Sequence, residues 1–276
     1  MDLIEVERAL IKKYRSKLYT PFIRALQEYA MIKEGDVIAV CISGGKDSLV
    51  LAKLLQILQR YSDYPFSLKF IAMDPGFTKE NRASLEQNCQ TLGIPVIIKD
   101  SDIFKVALKL NEEKPCYMCA RMRRGFLYRI AKEEGCNKIA LAHHFDDVVE
   151  TVLLNIFYGG TYQTMMPKLK AKNYLGMELI RPLYFVKEKD IIQYIKYCKI
   201  SPITCGCQIA SIDLGSKRFE IKKIIKSLAQ INKNIPMNIF RSAENVNLNA
   251  CIKWKNKEEY RHFLSLYNDN NYLEEE

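Results

Sequence analysis

Apolar positions along the chain switch repeatedly between short continuous runs and the three-to-four-residue spacing of amphipathic helices. Val37–Ile42, Leu68–Met73, Pro95–Lys99, Ile139–Ala142 and Met177–Leu183 are short and rich in aliphatic residues, and they predict strands. After the first of them, Leu51, Leu54, Leu55 and Leu58 recur at helical spacing. Lys79–Leu92, Arg121–Glu134 and Asp146–Phe157 predict further helices, the first two stopped by Gly93 and Gly135. Ile103–Leu110 predicts a short helix, Pro115–Cys119 a loop, Lys189–Cys198 an amphipathic helix, Ser201–Gly215 a loop and Phe219–Ile231 a last core helix. Upstream, Asp2–Lys17 is helical in pattern, and Thr20-Pro21 reads as an N-cap and a proline at N1 of a second helix through Tyr29. The Asn-, Lys- and Glu-rich tail after Ala243 has little apolar periodicity beyond Trp254 and Phe263, and no element is predicted there.

Strands alternating with helices in this way predict an α/β fold: a parallel, doubly wound sheet with helices on both faces and helical additions at both ends. The expected organisation is an N-terminal helical arm over 1–34, an α/β domain over 35–200, a loop and C-terminal helix over 201–245, and a tail over 246–276. In such a sheet, ligands bind outside the strand C-termini. Three polar features fall at that edge: Ser43-Gly44-Gly45-Lys46-Asp47-Ser48 after the first strand, Asp74 after the second, and His143-His144-Phe145-Asp146-Asp147 after a later one.

Ser43–Ser48 joins a strand to a helix through two glycines, which lets several N–H groups converge at a helix N-terminus, where phosphate binds. A turn with Asp47 or Ser48 as helix cap needs neither the glycine pair nor Lys46. The spacing is not that of the common nucleotide P-loop, and a Mg²⁺ partner accounts for Asp47 in an anion cradle. In His143–Asp147, one aspartate is expected to cap the helix, while a second carboxylate or a histidine serves the phosphates or Mg²⁺. Asp74 in Asp-Pro-Gly reads equally as a turn residue.

With 276 residues and 48% hydrophobic content the chain can bury one large core. Its 42 Lys and Arg against 32 Asp and Glu give a net charge of +10, which favours a polyanionic partner. No run of apolar residues is long enough for a membrane span, and Met1–Lys13 is charged rather than signal-like, so the expected location is cytoplasmic with no membrane partner. Nine cysteines, an odd number scattered through such a chain, argue against a disulfide framework and turn attention to metal or sulfur chemistry.

Cys116-x-x-Cys119 runs directly into Arg121, Arg123 and Arg124, and the next candidate ligands are Cys205 and Cys207. Four cysteines suit a closed zinc site. Three suit a [4Fe-4S] cluster with one iron open to an outside ligand, and the spacing does not choose between the two. Cys41 and Cys198 lie on apolar faces and read as core. Lys168, Lys170, Lys172, Lys217, Arg218, Lys222 and Lys223 extend the basic group around the arginines, and Tyr117, Phe145, Tyr158 and Tyr162 are candidates to stack an extruded base.

Ser43–Ser48 resembles the PP-loop of ATP pyrophosphatases, enzymes that split ATP into AMP and pyrophosphate to activate an oxygen. Together with C-Y-M-C-A-R-M-R-R-G, H-H-F-D-D, Phe157-Tyr158-Gly159-Gly160 and Arg181-Pro182-Leu183, it makes the chain similar to the tRNA 2-thiocytidine synthetases, the tRNA-cytidine(32) 2-sulfurtransferase family. The resemblance implies the adenine nucleotide alpha hydrolase-like fold and thiolation of cytidine 32 by adenylation of the C2 oxygen followed by sulfur transfer. It implies ATP binding by Ser43, Gly44, Gly45, Lys46, Asp47, Ser48, Asp74 and His143, catalytic roles for Lys46, Asp47, Asp74, His144 and Asp147, and Mg²⁺ on Asp47. It implies a [4Fe-4S] cluster on Cys116, Cys119 and Cys205; because the late pair here is Cys-Gly-Cys, Cys207 rivals Cys205. Arg121, Arg123 and Arg124 would meet tRNA, a cysteine desulfurase or similar sulfur donor is the implied partner, and a homodimer is one option. A PP-loop thiolase acting on uridine and a zinc-stapled RNA-binding protein with a vestigial ATP site stay open as alternatives.

Overall fold

Alternation within β1 (Val37–Ile42) fills both faces of a central sheet. Ile38, Val40 and Ile42 join the larger core cluster, while Ala39 packs on the other side with Tyr128, Ile130 and Ala131. The structure, a computed structural model, describes residues 1–103, 106, 115–203, 217–256 and 258–267, with the backbone alone over 115–121 and at 266. Beside β1 lie β2 (Ser67–Asp74), β3 (Val96–Asp100), β4 (Lys138–Ala140), β5 (Lys168–Lys170) and β6 (Glu178–Ile180), in the order β3-β2-β1-β4-β6-β5. All pairings are parallel except β5 with β6. The five predicted strands are present. The antiparallel β5 has no apolar alternation of its own, since its residues are Lys168, Leu169 and Lys170, and only pairing with β6 makes it a strand.

Around the sheet are α1 (Leu3–Ile11), α2 (Thr20–Glu28), α3 (Lys46–Tyr61), α4 (Lys79–Thr91), α5 (Pro115–Glu133), α6 (Phe145–Gly159), α7 (Glu188–Tyr197), α8 (Lys217–Ile231) and α9 (Ile235–Ser242). Helix α3 is buried nearly all round, from Leu49 to Ile57, so it sits inside the fold rather than on it. The chain belongs to the predicted α/β class, and its departures from expectation are local. Asp2–Lys17 is not one helix: α1 ends at Ile11, and a π-helical turn, Arg15–Tyr19, runs straight into α2. Buried Tyr14 and Leu18 anchor that turn, which leaves Tyr19 helical and Thr20 inside the helix instead of capping it. Pro115–Cys119, expected as a loop, is the first turn of α5, where a proline's fixed φ suits the helix start. Helix α8 contributes Ile221 alone to the buried set, and the apolar anchor of this region is Phe240 on α9. In the tail, β7 (Lys253–Lys255) and β8 (Tyr260–His262) form an antiparallel hairpin with α10 (Leu264–Tyr267) behind it. Cross-strand pairing made this hairpin, which periodicity did not announce. Most of Ile103–Leu110 and all of 204–216, with Cys205 and Cys207, lie outside the described residues. Among the described residues no helix is long and apolar enough to cross a membrane.

At the N-terminal edge of the sheet, Lys138 is buried and its ammonium meets Asp36 at 2.7 Å, Glu178 at 3.2 Å and the Met31 carbonyl at 2.8 Å. Three donors thus find three partners, which is the condition for keeping a buried charge.

Candidate nucleotide and sulfur site

The strand order reverses between β1 and β4, so the crevice at their C-terminal ends is the place where a doubly wound sheet receives its ligand. Ser43–Ser48 follows β1 and His143–Asp147 follows β4, so both predicted loops come to this crevice. Gly44 has φ +79°, and a Cβ there would lie 2.6 Å from Ile203 Cδ1, so both conformation and space demand glycine. Its carbonyl accepts the Ile203 amide at 3.0 Å, which ties the chain just before 204–216 to the loop. The plain turn capped by Asp47 or Ser48 is not what forms: Gly45 is the N-cap of α3 without a side-chain bond. Ser48 instead braces the loop, donating to the Gly45 carbonyl at 2.9 Å and accepting from the Ser43 amide at 3.2 Å.

Lys46 is held by two carboxylates, Asp47 Oδ2 at 3.0 Å and Glu188 Oε1 at 3.1 Å. Burial works against its charge, but these two neighbours raise its pKa, so the ammonium is kept. Glu188, at the start of α7, also binds Lys222 at 2.6 Å. Burial would raise its carboxyl, yet the Lys222 and Lys46 ammoniums pull it down to about 2. Asp47 Oδ1 is buried and has no hydrogen-bond partner among the described residues; His144 Nε2 lies 3.8 Å from it.

His144, rather than an aspartate, caps α6: its Nδ1 accepts from the Asp147 amide and its own amide donates to Asp147 Oδ2 at 3.0 Å, a reciprocal capping box. Asp146 leaves this helix and accepts from the Glu188 amide at 2.7 Å, joining the starts of α6 and α7. Asp147 Oδ1 reaches Arg218 of α8 at 3.1 Å. His143 accepts at Nδ1 from Arg181 Nε at 3.3 Å, so its proton sits on Nε2. Burial, together with the Arg181 charge, pushes His143 down to about 4 and keeps it neutral near pH 7.

A cavity of about 360 Å³ opens here, within the range of small-molecule sites. Ser43, Asp47, Ser48, His143 and Asp147 line it together with Arg123 and Leu127 of α5. Cys41, expected in the core, lines this cavity too, with its thiol pushed up to about 12 by burial and so uncharged.

Not every predicted residue joins. Asp74 is spent on structure: its Oδ1 accepts the Gly76 and Phe77 amides at 2.8 and 2.7 Å, and its Oδ2 meets Arg82 at 2.7 Å. Burial raises that carboxyl, and the Phe77 amide and Arg82 outweigh it, leaving its pKa lowered. Phe145 is no base stacker, because it is buried against Phe240 with ring centroids 5.0 Å apart. Arg124 is exposed, whereas the side chains of Arg121, Cys116, Cys119 and Tyr117 lie outside the described set. Among the described residues no group of three His, Cys, Asp or Glu gathers at metal-binding distance. Residues that sequence reading missed are Glu188, Arg181 as the partner of His143, and Ile203. An acidic residue at a helix start reads ordinarily as a dipole partner, so Glu188 gave no separate signal.

A glycine-paired anion loop and its lysine at the switch point of a mostly parallel sheet define a PP-loop type of α/β protein. Residues 18–203 match the family model described as a PP-loop domain. A tRNA-cytidine(32) 2-sulfurtransferase of Geotalea daltonii is 35% identical over 244 residues, 87% of this chain and 94% of that protein. Its counterpart from a Psychrobacter species is 36% identical over 246 residues, 87% of this chain and 65% of that longer protein. Among solved structures, the U34-tRNA thiolase NcsA from Methanococcus maripaludis with its [4Fe-4S] cluster shares the fold, with a TM-score of 0.64 at 23% identity over 86% of this chain and 78% of that one. The chain belongs to the tRNA-cytidine(32) 2-sulfurtransferase family of PP-loop proteins.

Proposed function

We propose that the protein thiolates cytidine 32 of tRNA at the expense of ATP. The observation that carries this reading is the shared cavity, lined by the phosphate loop together with α5, the helix that begins with the C-x-x-C. Helical spacing sets positions 116 and 119 on the same stripe of α5 as Arg123 and Leu127. Ile203 is bonded to Gly44, and Cys205 follows it two residues later in the sequence. The bond from Ile203 to the phosphate loop and the share of α5 in the cavity lining support one site for activation and sulfur transfer.

In the first stage the cytosine C2 oxygen attacks the ATP α-phosphorus and pyrophosphate leaves. The loop amides and Lys46 stabilise the charge that spreads over the phosphates, with Arg123 in the cavity lining as a further cation. Neutral His143 offers an Nε2–H donor and no charge. The orphaned, buried Asp47 Oδ1 fits a cation partner, so Asp47 would hold Mg²⁺, which supplies neutralisation of the polyphosphate. In the second stage sulfide attacks C2, and AMP departs with the original oxygen. Cys116, Cys119 and Cys205, with Cys207 as rival, have the chemistry to hold a [4Fe-4S] cluster, whose open iron would supply a site for that sulfide. A desulfurase-type donor would renew it.

A nucleoside digest of tRNA from cells lacking the protein tests this reading. Loss of 2-thiocytidine, restored by the parent gene and not by Cys116→Ala, is expected; retained 2-thiocytidine overturns it.

A further inference from the structure

The outward face of α8 carries charges and rings that neither the core nor the cavity uses. Lys223 and Lys226 are exposed on one side of the helix with Phe219, itself 42% exposed, and Lys217 is exposed on the side of Tyr158. At the end of α6, Phe157 is 54% and Tyr158 42% exposed. Each half of this face pairs a ring with a cation: the Lys217 ammonium sits 4.7 Å from the Tyr158 centroid, and that of Lys223 lies 4.5 Å from the Phe219 centroid. The inward face of the same helix holds the site, through Arg218 to Asp147 and Lys222 to Glu188.

A ring beside an ammonium offers a nucleotide both things it has to give, a base to stack and a phosphate to neutralise. The Tyr158 hydroxyl donates to the Glu220 carboxylate, which fixes this ring beside Lys217. We infer that the α6–α8 face is the docking surface for the nucleotides flanking the target base, a single-stranded RNA loop whose phosphates lie along α8. The inference rests on the thiolation reading. With the base in the cavity, its neighbours cross α8 within one helix diameter, about 10 Å.

Equilibrium binding of a tRNA transcript and of ATP to the full chain, each measured over a range of salt, tests this surface. Lys217→Glu with Lys223→Glu is expected to weaken tRNA binding at least about tenfold and to reduce the slope of log K against log salt by about 2. Phe219→Ala should weaken it about fivefold or more with the slope unchanged. ATP affinity should stay within about twofold in every variant. The control Lys33→Glu with Lys132→Glu makes the same change of charge at the N-terminal edge of the sheet and should leave tRNA affinity within about twofold. An equal loss in that control reduces the effect to net charge and overturns the surface, as does undiminished tRNA binding by the α8 variants. A parent chain that binds ATP but no tRNA overturns the thiolation reading and this surface with it.

Discussion

The two edges of the sheet both hold a lysine among carboxylates, and they hold it differently. At the N-terminal edge the Lys138 side chain is 2% exposed and its ammonium is saturated by Asp36, Glu178 and the Met31 carbonyl. Asp36 is saturated as well, since it also accepts from the Lys33 amide and from Asn137, each at 2.8 Å. At the C-terminal edge the Lys46 side chain is 26% exposed, and its neighbour Asp47 keeps one buried oxygen without a partner among the described residues. A saturated cluster has spent its charges on holding strands together. An unsaturated one bears an uncompensated desolvation cost, and because the open group is a carboxylate oxygen, a donor or a cation is what would relieve it. The same lysine–carboxylate chemistry thus serves stability at one end and binding at the other.

Breaking each cluster should have opposite signatures. Asp36→Ala leaves Lys138 with Glu178 as its one remaining carboxylate beside the Met31 carbonyl, and is expected to cost about 3–5 kcal/mol in denaturant unfolding. A loss below about 1 kcal/mol would show that the N-terminal cluster is not structural. Lys46→Ala should slow pyrophosphate release about 10²–10³-fold, as loss of one charge-stabilising donor does. Its unfolding free energy should move by less than about 1 kcal/mol, because its ion pairs are partly exposed. A large stability loss with retained turnover would reverse the comparison.

The smallest effect concerns His143, whose folded pKa lies near 4 against an ordinary 6.5. Between those values the unfolded chain binds a proton that the folded chain refuses, so stability falls as pH drops from 6.5 towards 4. NMR titration of the ring should give a midpoint near 4. His143→Asn should flatten that part of the stability profile. A midpoint above 6 would mean that Arg181 and burial do not hold the ring neutral.

Much of the fold was legible because it is local. The apolar run 37–42, the glycine pair at 44 and 45 and the helical leucines after them specify a strand, an anion-binding turn and a buried helix within a few residues of each other. Errors came where a neighbour outside the window decided. Pro115 began a helix and not a loop, β5 became a strand by pairing with β6, and α8 proved mostly exposed. The candidate site divides in the same way. Lys46, Asp47, His143 and Asp147 announced themselves by motif, whereas Asp74 carried a motif and went to a turn with Arg82. Glu188 was silent, although it grips the loop lysine.

By itself the order of residues determined the βα alternation, the loop that turns at Gly44, and the supply of cysteines and basic side chains. These depend on backbone preference and on short-range periodicity, which a linear pattern carries. Only the tertiary structure decided that Lys46 answers to Glu188, that Arg123 and His143 line one cavity, and that Ile203 is stitched to Gly44. Those pairings join segments far apart in the chain, and their geometry exists only once the sheet has set the ends of β1 and β4 side by side.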